Sequence, residues 1–177
     1  MIETERLILR RWRNEDREPF ARINADPQVV EHLPAPLGRE ESDALIDRIE
    51  AFFEEHGFGR FAVEEKATGE LAGMVGLNIP AYALPFSPCV EIGWRLAPPF
   101  WGRGYASEAA RSALQFGFKT AGLPEIVAFT VPANVRSQRV MQRIGMTRDQ
   151  ACDFDHPSLP EGHPLRRHVL YRCKATY

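Results

Sequence analysis

Trp101-Gly102-Arg103-Gly104-Tyr105-Ala106-Ser107-Glu108-Ala109 decides the reading of this 177-residue chain. An apolar strand, Val90 to Leu96, delivers the backbone to it, and the two glycines let the chain pass close to a ligand before a helical pattern begins at Ala106. Peptide N–H groups at such a helix start point outward together, and the helix macrodipole reinforces their positive field. The stretch is therefore a cradle for an anion, suited to the diphosphate of a nucleotide-like cofactor held by main chain rather than by side chains.

Working outward, the strand before the loop places Val90, Ile92, Trp94 and Leu96 on one face and Cys89, Glu91, Gly93 and Arg95 on the other. Beyond the loop, Ala106, Ala110, Leu114 and Phe118 recur at helical spacing with Glu108, Arg111, Gln115 and Lys119 facing water, until Gly122-Leu123-Pro124 stops the helix. Ile126 to Val131 is continuously apolar, as in a central strand covered on both faces, and Pro132 ends it. Asn134 opens a further helix carrying Val140, Met141 and Ile144, with Gly145 as its left-handed stop.

Toward the amino end, Arg6 to Trp12 reads as a strand, and Asn14 caps a short helix through Phe20 and Ile23. Leu45, Ile46, Ile49, Phe52 and Phe53 mark a second helix closed by Gly57, followed by a hairpin from Phe61 that turns at Ala67-Thr68-Gly69-Glu70 into Leu71 to Ile79. Met146 to Phe154 and Arg166 to Lys174 are predicted as the last strands. The sum is one α/β domain over residues 1–177, a mixed and mostly antiparallel sheet of about six to seven strands flanked by about four helices.

Composition narrows the partners. A net charge of -2 gives no basic field of the kind that grips a phosphate backbone, so nucleic acid is not expected. No apolar run reaches the roughly 18 residues of a spanning helix, and Met1 to Arg6 lacks a signal-like apolar stretch, so no membrane partner and a cytoplasmic location are expected. Cys89, Cys152 and Cys173 are odd in number and far apart, and the five histidines show no ligand spacing, which argues against a disulfide framework and a metal site. Either a monomer or a homodimer fits.

In order and spacing, Glu91-Ile92-Gly93-Trp94, the glycine loop, Asn134-Val135-Arg136-Ser137 and Arg143-Ile144-Gly145-Met146 resemble the GNAT superfamily of N-acetyltransferases. The resemblance covers nearly the whole chain and is nearest the RimJ/RimL-like branch, which acetylates ribosomal-protein N-termini. It implies acetyl-coenzyme A as cosubstrate and a sheet splayed in its middle. The pantetheine arm then enters between the strand after Glu91 and the strand Ile126 to Val131, along Trp94 and Leu96. Gly102, Arg103, Gly104, Tyr105, Ala106 and Ser107 are placed at the diphosphate, with Arg103 adding charge, and Asn134 and Ser137 beside the arm. Trp101 stands where relatives commonly carry Gln or Arg, so no side-chain contact from that position is carried over. Pro98 and Pro99 fit the splay, because proline cannot donate to a ladder.

Acetyl transfer to an amine needs a neutral amine, a polarised carbonyl and a fate for the departing thiolate. The resemblance assigns Glu91 as the general base, acting through water with a pKa raised by burial; the competing reading is an ordinary salt-bridged strand carboxylate. Many relatives place a tyrosine acid where this chain has Met141, so Ser137 supplies the proton, another hydroxyl such as Tyr171 does, or the thiolate leaves unassisted. Asn134 either bonds the pantetheine or simply caps its helix. The acceptor, a primary amine of a peptide N-terminus or small molecule, is expected between the first helical region, the loop with Tyr82 and Phe86, and the segment Asp153 to Pro164. There Asp153 attracts a cationic amine and Tyr171 borders the cleft. A non-catalytic acyl-coenzyme A sensor is the alternative. A dinucleotide oxidoreductase is disfavoured, because Ser107 replaces the third small residue of that fingerprint and most of the sheet precedes the loop.

Overall fold

The computed structural model describes residues 1–175. Its sheet grows from a hairpin in which β3 (Arg60–Glu65) and β4 (Leu71–Asn78) pair antiparallel, with Val75 and Leu77 buried on β4 and Phe61 and Val63 on β3. On one side β2 (Leu7–Arg10) and the short β1 (Ile2–Glu3) extend it. On the other, β5 (Glu91–Leu96) pairs antiparallel with β4 along its whole length, from Asn78↔Glu91 to Gly73↔Leu96. Next comes β6 (Glu125–Thr130), parallel to β5, then β9 (Arg167–Lys174) antiparallel to β6.

The two faces of this sheet are covered differently. α3 (Tyr105–Lys119) lies on the face of Phe61, Leu77 and Ile126: Phe116 meets Phe61 edge-on at 5.7 Å, and a Cβ on Gly117 would stand 2.6 Å from Ile126 Cδ1. α1 (Arg17–Ala25) lies on the opposite face, where Asn24 meets Arg95, and α2 (Arg39–His56) packs along α1. Leucines 7, 9 and 77, Phe20, Ile92 and Ile126 are fully enclosed between these layers, which is the burial that holds them together. α4 (Val135–Arg143) closes the end beside α3.

Among the described residues the sheet has nine strands in the order β1-β2-β3-β4-β5-β6-β9-β7, where β7 is Thr147–Arg148, with β8 (Phe154–Asp155) paired to β9. The mostly antiparallel mixed sheet and the four α-helices are as the sequence predicts. The strand count is higher because two-residue strands carry little periodicity. Met146 to Phe154 is not one strand: β7 (Thr147–Arg148) gives way to a 3-10 turn, Gln150–Cys152, where Cys152 N–H donates to Asp149 O and Arg172 Nε to Asp149 Oδ2. Asn14 is not the cap of the first helix either. It begins a 3-10 turn, and Asp16 does the anchoring, accepting from Arg13 N–H at 2.8 Å and from both terminal nitrogens of the Arg10 guanidinium. Glu108 does not face water; it accepts from Thr4 Oγ1 at 2.6 Å and Arg6 Nε at 2.8 Å.

The feature that positions the site is the seam between β5 and β6. Only Glu91↔Val127 is in register, after which the two parallel strands diverge. Pro98 and Pro99 are not its cause, since they sit in a 3-10 turn (Pro98–Phe100) past the end of β5, whereas pairing stops right after Glu91.

Candidate active site

Descending from β5, the chain enters the glycine loop with both Gly102 and Gly104 in the left-handed region, φ +72° and +81°, where a Cβ is disfavoured by roughly 1–2 kcal/mol. Gly104 caps α3, and the first intrahelical bond runs from Glu108 N–H to Gly104 O at 3.0 Å. The amides of Tyr105, Ala106 and Ser107 therefore have no carbonyl one turn back. The loop is tied down from behind: Arg6 Nη1 donates to Arg103 O at 2.9 Å, and Tyr105 Oη donates to Glu65 Oε1 at 2.5 Å. Outward amides on a held backbone suit an anion, and side chains at Gly102 and Gly104 would distort that backbone; the cradle fits a diphosphate.

From this cradle a cleft of about 570 Å³ runs down the seam between β5 and β6. Ala97 N–H bonds Ala72 O on the β4 side, while Val90 O accepts Val127 N–H on the β6 side. Strand alternation then turns the peptide groups of Ile92, Trp94 and Leu96 toward the diverging β6. Trp94 and Leu96 line the cleft, together with Glu91, Gly102, Gly104, Tyr105, Ala106, Ser107, Asn134 and Ser137. The Leu96 carbonyl is already taken, accepting Trp101 Nε1–H at 2.7 Å.

Arg103 is a correction. Its guanidinium turns away from the cleft, 2.7 Å from Glu65 and 4.5 Å from the Tyr105 ring centroid, because Glu65 is an otherwise buried carboxylate on the face beneath the loop. Positive charge comes instead from Arg139 and Arg143 on α4, with Arg136, ion-paired to Glu31 at 3.0 Å, stacked 4.4 Å from the Trp101 centroid. Their spacing of three and then four residues puts them on one side of the helix, a periodicity already present in the sequence. Asn134 lies on the cleft wall, yet its carboxamide is engaged: Oδ1 accepts Ser137 N–H at 3.2 Å as the helix cap and Nδ2 donates to Thr130 Oγ1 at 3.0 Å. Ser137 lines the same wall one turn before Met141, which is 2% exposed and also on that wall.

At the deep end Glu91 has a carboxylate only 16% exposed, 3.6 Å from Arg60. Burial pushes its pKa up, and Arg60 pulls the other way. Arg95, on the same strand face, donates to Asn24 Oδ1, and burial brings its guanidinium down to about 10. Gln28, Val29, His32 and Leu33 form the facing wall; they belong to the connection between α1 and α2, past the end of the first helix that was expected there.

The four residues predicted to bind the acceptor do not line the cleft. Tyr82 Oη bonds His156 Nε2 at 2.9 Å, and Phe86 packs edge-on against Phe154 at 5.1 Å; both belong to an aromatic cluster behind Phe129, whose ring reaches the cleft. Asp153 is held by Arg148, with Oδ2 2.6 Å from Nη2, and that pairing keeps its carboxyl below the usual range instead of leaving it free to attract an amine. Tyr171 is 3% exposed and donates to Gln138 Oε1 at 3.2 Å, enclosed between β9 and α4. An aromatic or acid in a loop looks the same in sequence whether it walls a cleft or packs behind one.

Residues 6–147 match the acetyltransferase (GNAT) domain family. The chain belongs to this family. It is 31% identical to the uncharacterized N-acetyltransferase YnaD of Bacillus subtilis over 163 residues, 92% of this chain and 89% of YnaD. A GNAT-family acetyltransferase from Bacillus anthracis superposes with a TM-score of 0.80 at 28% identity, covering 98% of this chain and 97% of that one. RimL, a ribosomal L7/L12 α-N-protein acetyltransferase solved with coenzyme A, superposes with a TM-score of 0.78 over 97% of this chain and 95% of its own, at 16% identity, a likeness of fold. This GNAT protein is an N-acetyltransferase. Among the described residues no cluster of His, Cys, Asp and Glu is arranged to hold a metal, and no helix is long and apolar enough to cross a membrane.

Proposed function

We propose that this GNAT enzyme transfers the acetyl group of acetyl-coenzyme A directly to a primary amine, on a small molecule or a protein N-terminus. The reading is carried by one conjunction: unpaired amides at the start of α3 open onto the same cleft as the peptide edge of β5 where it leaves β6. The amides from Gly102 to Ser107, backed by the α3 dipole and by Arg139 and Arg143, hold the diphosphate. The β5 edge at Ile92 and Trp94 takes the pantetheine as a strand would be taken.

Glu91 then accepts the ammonium proton through water, freeing the lone pair that attacks the thioester carbonyl. The N–C bond forms and the C–S bond breaks; Ser137 passes its hydroxyl proton to the departing thiolate and is reprotonated by the proton that the newly acylated nitrogen sheds, so coenzyme A leaves as the thiol. The raised pKa of Glu91 brings its basicity closer to that of the amine it serves. A RimJ/RimL-like protein acceptor is supported only through the shared scaffold, so the acceptor has to be read from the cleft's own residues.

A sensor that binds acyl-coenzyme A without turnover is favoured by one observation, the thioether of Met141 on the wall where many relatives carry a phenol. Incubation with acetyl-coenzyme A and a panel of amines separates the two. The enzyme reading expects free thiol and acetylated amine in equal amounts, the latter seen by mass spectrometry. Tight coenzyme binding with no amine acetylated would leave the sensor.

A further inference from the structure

We propose that the acceptor is a small amine bearing a carboxylate, and that Arg95, assisted by Arg60, binds that carboxylate. This rests on the acetyltransferase reading above and specifies its substrate.

Arg95 shares a cross-strand row with Met74 and donates to Asn24 of α1, so it projects from the face that α1 covers. The amide cradle and the α4 arginines belong to the α3 side of the sheet. The phosphates of the coenzyme therefore do not account for Arg95.

No carboxylate of the described residues lies within ion-pair distance of it. A guanidinium presents five N–H donors, and the bonded partner here is one neutral carboxamide. Arg60 has Glu91 at 3.6 Å, so Arg60, Glu91 and Arg95 together leave one positive charge without a counterion at this end of the cleft. Burial lowers Arg95 toward about 10, the direction for a cation lacking a partner. Arg10 shows what this fold does with a buried guanidinium that has no ligand to meet: Asp16 and Glu64 pair with it at 2.7 and 2.6 Å. The pairing is missing at the wall of the cleft.

The surroundings are built. Asn24 and Ser42 are fully buried, bonded to each other at 2.8 Å, and Asn24 Oδ1 fixes the Arg95 fork. Ser42 satisfies the Asn24 amide, so burial of the pair is compensated, and Asn24 Oδ1 is left to hold one edge of the guanidinium. Between Glu91 and Arg95 the strand carries Gly93, and nothing lies within 4 Å of where its Cβ would be. The space over Gly93 is thus open, with a base at one end and a planar fork at the other. A planar fork matches a carboxylate through two parallel hydrogen bonds. Val29, Leu33 and Phe129 offer apolar contact to the rest of a small acceptor.

The test compares amines with and without the carboxylate: phenylalanine against phenethylamine, and β-alanine against propylamine, with aminoethylphosphonate and a C-terminally amidated neutral peptide as further arms. The expected result is a kcat/KM at least about 30-fold higher for the carboxylated member of one of the two pairs. In Arg95→Gln that ratio collapses toward one, and in Arg95→Lys, which keeps charge but loses the fork, it falls partway. Coenzyme binding measured by calorimetry certifies that each variant is folded, and Arg95→Lys carries the test if the Gln variant is not. Equal turnover of both pairs, a better phosphonate or peptide, or a ratio untouched in both variants overturns the proposal while leaving the enzyme an acetyltransferase. Failure of every amine overturns the acetyltransferase reading and this one with it.

Discussion

Gly104→Val is expected to weaken coenzyme A binding by about 100-fold or more while the chain still folds. Residue 104 caps α3 at φ +81°, a conformation that a β-branched residue strongly resists. Relieving that strain means rotating the peptide units on either side, which are the units whose N–H groups form the cradle. The added Cβ would also lie 3.5 Å from Arg6 Nη2, whose neighbouring nitrogen holds the Arg103 carbonyl. A diphosphate bound by several charge-assisted hydrogen bonds loses them together when their common backbone moves. The fold should survive, because the strain is worth about 1–3 kcal/mol and no residue of the sheet core packs against this position. Calorimetric titration with coenzyme A, alongside a thermal melt, reads both parts. A folded variant with wild-type affinity would remove the loop from the binding site.

Glu91→Gln is expected to lower kcat/KM by about 100-fold near neutral pH. The sign of the pH effect follows from burial. Desolvation disfavours the charged carboxylate, so the Glu91 pKa lies above the usual range, and only the ionised form accepts a proton. Wild-type kcat/KM should climb with pH through that raised value as the base ionises. The Gln variant has no such group, and its rate should follow only the free-amine fraction in solution. The deficit is therefore largest at low pH and narrows toward about pH 10, where water has already deprotonated the acceptor. Profiles of the two proteins with one amine make the comparison. Superimposable profiles would reduce Glu91 to the salt-bridged strand residue that its 3.6 Å contact with Arg60 also allows.

What the sequence disclosed, and what it hid, divides along physical lines. The glycine-loop end of the cleft was legible in its backbone because glycine pairs, helix caps and strand alternation act locally: Gly102, Gly104, Asn134 and Gly145 announce their backbone roles within a few residues. The seam between β5 and β6 was legible only through the resemblance, and its attribution to Pro98 and Pro99 was mistaken, since the divergence begins before them. The acceptor end was not legible. Arg60 and Arg95 come together through the cross-strand pairing of β3, β4 and β5, and Asn24 reaches Arg95 across 71 positions of chain. Asp153 and Tyr171 were misplaced for the complementary reason. Whether an acid is free or held by an arginine five positions away depends on the turn at Gln150–Cys152, where a continuous strand was expected.

In the function proposed above, main-chain amides at the head of α3 and along the open edge of β5 bind the coenzyme. Titrating coenzyme A into nitrogen-labelled protein and following backbone amide resonances addresses it most directly. The largest displacements are expected at Gly102 through Ser107, continuing to Ile92 and Trp94. Saturable binding that leaves those amides unmoved and shifts others instead would contradict it.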